Sequence, residues 1–173
     1  MRSVLYVVLP VEPPARDMIL EVQREYDPRL SRDWPPHVTL AGSSGMGPIA
    51  GDVTTADMRR VLEPIARETP PIEMAFGAAI RFMQSNVIVL PLDPHGPLRA
   101  LHERIKLAGL PYAHPRFAFT PHVTLSFYRE QPPARVRELL AVRVAEPARF
   151  TEISVYRSFM NRTSRLELSL ALG

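Results

Sequence analysis

The pentapeptide Pro-His-Val-Thr-Leu occurs twice in this chain, and it carries the residues best suited to acid/base chemistry. It places His37 beside Thr39 and His122 beside Thr124. Histidine can both accept and donate a proton near neutral pH, and a threonine hydroxyl can donate a hydrogen bond to a phosphoryl oxygen. The two motifs therefore suit in-line displacement at phosphorus, with one imidazole as the base and the other as the acid.

Each motif is predicted to lie on a β-strand, at His37–Ala41 and at His122–Tyr128. Alternate side chains of a strand share a face. The histidine and threonine of each motif should then point into one volume, while the valine and leucine anchor the strand beneath helices. If the two strands are related by a pseudo-twofold axis, both imidazoles and both hydroxyls converge.

A second repeat supports an internal duplication. Residues 7–13 and 88–94 match at an offset of 81, because Val-Val-Leu-Pro-Val-Glu-Pro becomes Ile-Val-Leu-Pro-Leu-Asp-Pro. The pentapeptides follow in the same order, at an offset of 85. We therefore predict one domain over residues 1–173, built from an internal repeat of approximately residues 3–82 and 85–172.

Hydrophobic periodicity and turn residues predict an α+β protein of two similar lobes related by a pseudo-twofold axis. Each lobe would have an antiparallel-containing sheet with helices on its outer side, and the equivalent strands would face each other across a central cleft. The remaining strands are predicted at Ser3–Leu9, within 72–82, and at Asn86–Leu92, Phe150–Phe159 and Arg165–Leu172, and the helices at Ala15–Tyr26, after an N-cap at Thr54, at Pro97–Ala108 and at Pro133–Leu140.

Two other interpretations of the histidines remain open. Both could be structural residues with satisfied hydrogen bonds, although their repeated context favours a function. A zinc site would need a third ligand; the chain has no cysteine, and nothing in the sequence positions Asp33 or Glu130, the nearest carboxylates. We expect no metal and no cofactor.

The paired His-x-Thr-x motifs, in a chain of this size and pattern, resemble the two-histidine (2H) phosphoesterase superfamily, and within it the LigT-like 2′-5′ RNA ligases. The resemblance covers nearly the whole chain. It implies the bilobal fold, cofactor-free opening of a 2′,3′-cyclic phosphate to a 2′-phosphomonoester, and weak reversible 2′-5′ joining in some members. It also implies His122 as the base and His37 as the acid. A different class of function on the same fold is a non-catalytic RNA- or nucleotide-binding module.

The sequence departs from the LigT-like pattern three positions after the second threonine. Many relatives have arginine there, and this chain has Phe127, with Arg129 as the nearest arginine. Strand alternation places Ser126 and Tyr128 on the face of His122. These two residues are therefore candidate substrate contacts, and Arg129, which alternation points away, is a third candidate if the strand bulges there.

Trp34 is a further candidate substrate contact, because it lies three residues before His37 and could stack on a base. The alternative is that its ring packs on Pro35 and Pro36. The glycine-rich segment 42–51 is predicted to be a mobile surface loop, with a lid over the substrate as the alternative.

Composition sets broader limits. The 173 residues are 46% hydrophobic, and the absence of cysteine excludes disulfides and thiolate chemistry. Twenty of the 21 basic residues are arginine, but a net charge of +3 is a weak signature of nucleic-acid binding. The apolar N-terminal run is too short to span a membrane. We expect a cytoplasmic monomer without membrane contact, acting on an RNA end or a nucleotide that carries a cyclic phosphate.

Overall fold

The computed structural model describes residues 2–83, 85–127, 130–160 and 163–173. Among these residues, no helix is long and apolar enough to cross a membrane. The helices are α1 (Ala15–Tyr26), α2 (Leu30–Asp33), α3 (Thr55–Arg67), α4 (Pro97–Lys106) and α5 (Pro133–Leu140). The strands are β1 (Ser3–Pro10), β2 (His37–Ala41), β3 (Ile49–Ala50), β4 (Ile72–Met74), β5 (Ile80–Arg81), β6 (Ile88–Pro91), β7 (His122–Ser126), β8 (Ala148–Phe150), β9 (Glu152–Phe159) and β10 (Ser164–Ala171).

One large sheet joins the two halves of the chain. Its strand order is β10-β9-β1-β2-β7-β6-β5, and β3 pairs with β1. The two motif strands lie side by side at its centre and pair antiparallel at Val38 and Val123. They therefore form the floor of the cleft between the halves. The sequence had predicted instead that the two strands would face each other across that cleft. A separate two-stranded sheet pairs β4 with β8.

The motif strands are built into matching hairpins. In the first, β1 pairs with β2 so that Pro10 lies opposite His37; in the second, β6 pairs with β7 so that Pro91 lies opposite His122. Both pairings shift register one residue after the motif threonine. Such a bulge bends the strand and redirects the side chains beyond it. The repeated residues thus occupy equivalent positions in the two hairpins.

The helices cross over between the two halves. Helix α1 follows β1 but packs on β7, and α4 follows β6 but packs on β2. The motif valines and leucines are completely buried in the core: Val38, Leu40, Val123 and Leu125. Burying a side chain of this size contributes roughly 1.5–3 kcal/mol. This exchange of helices ties the halves into one core and holds the two motif strands together.

The predicted elements agree with the structure most closely around the motifs. Helices α1 and α5 and strand β2 have the predicted bounds, and the Thr54 side chain caps α3 by accepting from Asp57 N. The strand predicted within 72–82 is two short strands, and α2 was not predicted. The hairpin of β9 and β10 pairs with β1, so the C-terminal strands complete the sheet of the first half. Two strands of the second repeat thus lie beside the first strand of the first repeat, which the linear repeat does not reveal.

The prediction of a mobile surface loop at 42–51 was wrong. Ser44, Gly45, Met46 and Gly47 are buried, and backbone hydrogen bonds join the segment to residues 111–117, including Gly45 N to Phe117 O at 2.9 Å. Gly45 has φ +76°, and a Cβ there would lie 2.3 Å from His102 Nε2. Its glycines therefore serve close packing against a neighbouring segment.

Candidate active site

The two motifs line one small pocket at the centre of the large sheet. His37, Thr39, His122 and Thr124 all contribute to a cavity of about 90 Å³. Its other walls are formed by Gln23, Leu30, Pro35, Ser43 and Phe127. Pockets for whole ligands usually measure about 300–1,000 Å³. This pocket can therefore enclose a phosphoryl group, with the remainder of a nucleotide lying outside it.

His37 is oriented by the backbone just before its strand. Its Nδ1 lies 2.7 Å from Pro35 O. A carbonyl oxygen can only accept, so Nδ1 must carry a proton and donate it. In the neutral ring this leaves Nε2 unprotonated and able to take a proton.

His122 is oriented in the same way. Its Nδ1 lies 2.6 Å from Thr120 O, again two residues earlier. Thr120 is itself held by the packed loop, because its backbone nitrogen donates to Ser44 Oγ at 3.0 Å. The two rings therefore share a tautomer and present Nε2 as their reactive nitrogen.

The two imidazoles differ in how readily they take a proton. Burial lowers the pKa of His37 to about 4, against the opposing effect of the Pro35 carbonyl, and the positive charge of His122 lowers it further. Burial also lowers the pKa of His122, again opposed by a backbone carbonyl. The His37 ring is the more deeply enclosed of the two, so burial depresses its pKa more strongly than that of His122. When the pair holds one proton, it therefore resides mainly on His122.

Thr39 and Thr124 lie on the floor beside the histidines. Because β2 and β7 run antiparallel and pair at Val38 and Val123, each threonine lies across from the histidine of the other strand. The hydroxyls can donate to the non-bridging oxygens of a bound phosphoryl group. Among the described residues that line the pocket there is no carboxylate, arginine or lysine. One protonated histidine would thus face a phosphodiester that carries a single negative charge.

Trp34 packs against other aromatic rings of the protein and does not line the pocket, whereas the sequence had suggested a substrate base or the neighbouring prolines as its partner. Its ring stacks on Tyr156 at 4.7 Å, meets Tyr6 edge-on at 5.3 Å, and lies 5.1 Å from the His37 ring. Phe82 takes the corresponding position at His122, edge-on at 4.8 Å. Each imidazole is thus braced by an aromatic ring, which helps to exclude water from it.

The candidate substrate contacts after the second motif need correction. Ser126 is 0% exposed, and its Oγ accepts from Gln131 Nε2 at 3.0 Å, so it does not line the pocket. The bulge beyond Thr124 breaks the simple alternation that predicted otherwise. Tyr128 and Arg129 fall outside the described residues. Phe127 does line the pocket and is 52% exposed.

Gln23 was not predicted as a site residue. It belongs to α1, far from either motif in sequence, and its Nε2 donates to Thr124 O at 2.8 Å. A buried polar residue in the apolar stripe of a helix was the signal that could have identified it. Ser43, an exposed residue of the loop after β2, completes the pocket.

No group of three or more histidine, aspartate or glutamate side chains positioned to hold a metal ion occurs in the described part of the chain. In particular, neither Asp33 nor Glu130 joins the two histidines in the lining of the pocket.

Comparisons with known proteins identify the family and the fold of this chain. A sequence model of the 2′-5′ RNA ligase superfamily matches residues 10–158. A protein of Geobacillus kaustophilus named "Putative phosphoesterase" is 31% identical over 81% of this chain and 78% of its own. The E. coli LigT structure with 3′-AMP superposes with a TM-score of 0.61 at 17% identity, covering 99% of each chain. A Thermus thermophilus protein does so with a TM-score of 0.63 at 16% identity, over 98% of this chain and 97% of that one.

Proposed function

This chain belongs to the 2′-5′ RNA ligase superfamily of two-histidine phosphoesterases, and from that premise we propose that it is a metal-independent phosphodiesterase. Its substrate is a 2′,3′-cyclic phosphate on an RNA end or a nucleotide, which it opens to a 2′-phosphomonoester. The observation that carries the proposal is the convergence of two identically oriented imidazoles and two threonines on one pocket of phosphoryl size.

The chemistry needs one neutral and one protonated imidazole. Because the proton of the pair resides mainly on His122, we assign His37 as the base and His122 as the acid, which reverses the roles that the family resemblance implies. His37 Nε2 takes a proton from the attacking water, and His122 Nε2 gives one to the departing ribose oxygen. The anionic substrate itself raises the pKa of a nearby histidine and so favours the charged acid.

Thr39 and Thr124 stabilise the negative charge that develops on the non-bridging oxygens. The small volume of the pocket leaves the nucleoside on the open side, where Phe127 offers an exposed ring for a base. E. coli LigT has been crystallised with 3′-AMP and with ATP, which supports a nucleotide as the ligand class. Weak, reversible 2′-5′ joining would use the same site in reverse. Action as a cytoplasmic monomer stays a prediction.

The direct test incubates the protein with a nucleoside 2′,3′-cyclic monophosphate in excess chelator and separates the 2′- and 3′-monophosphates by chromatography. We expect full turnover to the 2′-isomer, since the described residues include no metal-ligand cluster. Loss of turnover that a single divalent ion restores would contradict the mechanism. Saturable binding of the cyclic nucleotide without any turnover would instead identify a non-catalytic binding module.

A further inference from the structure

A second pocket beside the candidate active site carries an excess of positive charge. It has a volume of about 390 Å³ and lies between helix α4 and the segment of residues 115–119 that leads to the second motif. Three cations line it, namely Arg99, Lys106 and Arg116, against one carboxylate, that of Glu103. A cavity of this size can hold a whole ligand rather than a single group. Its charge favours an anionic ligand.

Two of the three cations are available to such a ligand. Lys106 and Arg116 are exposed, and neither forms an ion pair or a side-chain hydrogen bond within the described part of the chain. Arg99 is already engaged, because its Nε donates to Pro94 O at 2.9 Å and its Nη1 lies 3.6 Å from Glu103 Oε1. Lys106 and Arg116 are therefore the groups that an incoming anion would meet.

The same pocket has an exposed aromatic ring. Phe117 lines it and is 70% exposed. Of the described phenylalanine, tyrosine and tryptophan residues, the only other exposed one is Phe127, which lines the catalytic pocket. Cations beside an accessible ring are the combination that binds single-stranded nucleic acid, because the cations bind phosphates and the ring stacks on a base.

The two pockets share a wall. Ser43 lines the catalytic pocket and Gly45 lines the second one, while on the neighbouring segment His122 lines the first and Phe119 the second. Gly45 N donates to Phe117 O at 2.9 Å and so holds the two segments together. Since a chain advances at most about 3.6 Å per residue, the two linings are roughly 7–11 Å apart along either segment. A nucleic-acid strand, which advances about 3.4 Å per nucleotide even when stacked in a duplex, covers that distance within two or three nucleotides.

An RNA end with a 2′,3′-cyclic phosphate continues on one side only, through the nucleotides that precede it. We propose that the pocket of Lys106, Arg116 and Phe117 binds this preceding strand, so that the substrate is an RNA end rather than a free nucleotide; the inference rests on the proposed function. The two cations contact the phosphodiesters, and Phe117 stacks on a base. Such contacts accept any sequence, because every nucleotide has a phosphate and a flat base.

The test compares a nucleoside 2′,3′-cyclic monophosphate with an RNA tetranucleotide that ends in the same group. For the wild-type protein, kcat/KM should be roughly 10- to 100-fold higher for the tetranucleotide, mainly through a lower KM. Phe117→Ala should reduce this advantage about tenfold, and Phe117→Trp, which keeps a stacking ring, should retain it. The mononucleotide does not reach the second pocket, so its unchanged kcat/KM reports that each variant is folded.

Salt dependence separates the charges from the ring. The Kd of the tetranucleotide product is measured by fluorescence anisotropy over a range of salt concentrations. Each phosphate contact on a single strand contributes about 0.7 to the slope of log Kd against log salt, so Lys106→Gln/Arg116→Gln should lower that slope by about 1.4. Phe117→Ala should weaken binding and keep the wild-type slope. The double substitution, at two exposed positions, also serves as the test if Phe117→Ala fails to fold.

The matched control is Arg60→Gln, at an exposed arginine of α3 that lines neither pocket. It should leave the tetranucleotide advantage and the salt slope unchanged. Equal kcat/KM for the two substrates in the wild-type protein would overturn the inference and leave the proposed function standing, and so would an equal loss from Arg60→Gln and the double variant. If the wild-type protein opens neither substrate, the proposed function fails, and this inference with it.

Discussion

The two hairpins of the site are nearly identical in backbone and different in surroundings. Both place histidine opposite a proline, both have a bulge after the threonine, and both bind Nδ1 to a carbonyl two residues earlier. Around them, Trp34 packs with two tyrosines at His37, whereas Phe82 meets His122. The comparison shows how a repeated motif can supply two chemical roles: the backbone sets the same tautomer twice, and unrepeated neighbours set different pKa values.

Of the substitutions in the two hairpins, removal of either imidazole should reduce turnover the most. His37→Ala and His122→Ala should each lower turnover by roughly 10²- to 10⁴-fold, the usual contribution of a positioned acid or base. His114→Ala, at an exposed histidine outside the pocket, is the matched control. Near-normal activity of either site variant would refute the two-histidine mechanism.

The same variants distinguish the two roles. A substrate with an activated leaving group needs no acid, so it should rescue His122→Ala and leave His37→Ala inactive. For the wild-type protein, kcat/KM should peak between about pH 4 and pH 6.5, because His37 must be neutral and His122 charged, and both have pKa values below the ordinary one. Rescue of His37→Ala instead would restore the assignment that the family resemblance implies.

The threonines test whether the two halves bind the phosphoryl group equally. Thr39→Ala and Thr124→Ala should each reduce turnover on the order of 10²-fold, since each removes one preorganised donor to the developing charge. Thr→Ser at the same positions keeps the hydroxyl and should be milder. Both should be measured as kcat and KM on one cyclic nucleotide, with melting temperatures as the control for folding. If the alanine variants turn over as fast as the wild type, the threonines serve only to form the strands.

The smallest expected effect is on the free energy of unfolding. Its pH dependence tests the depressed pKa of His37 without any substrate. The pKa of His37 is about 4 in the folded protein and ordinary in the unfolded chain, so the unfolded chain binds more protons between these values. The free energy of unfolding should therefore fall as pH drops from 6.5 towards 4, by roughly 2.5 kcal/mol from this group. Urea titrations of wild type and His37→Gln should show the variant losing less over that range, with His114→Gln matching wild type. An equal loss in all three proteins would mean that the His37 pKa is not depressed.

Prediction from sequence was most successful where local residue patterns decide the structure. The alternation in Pro-His-Val-Thr-Leu predicted two strands with buried Val38 and Val123, and the Thr54 cap predicted the start of α3. The predicted direction of the Ser126 side chain was wrong, because a bulge depends on pairing with another strand. It also failed at segment 42–51, whose glycines are needed for contact with residues distant in sequence.

By itself the sequence determined which reactive side chains are present, namely two histidines and two threonines in repeated strands. It also determined the order of most elements and indicated the family. Only the tertiary structure decided that the strands lie side by side, that Gln23 from a distant helix enters the pocket, and that the two imidazoles differ in pKa. The reason is physical. Side-chain direction along a strand is a local property, whereas burial, register across strands and the helix that covers each strand arise from contacts between residues about 100 positions apart, such as Gln23 with Thr124.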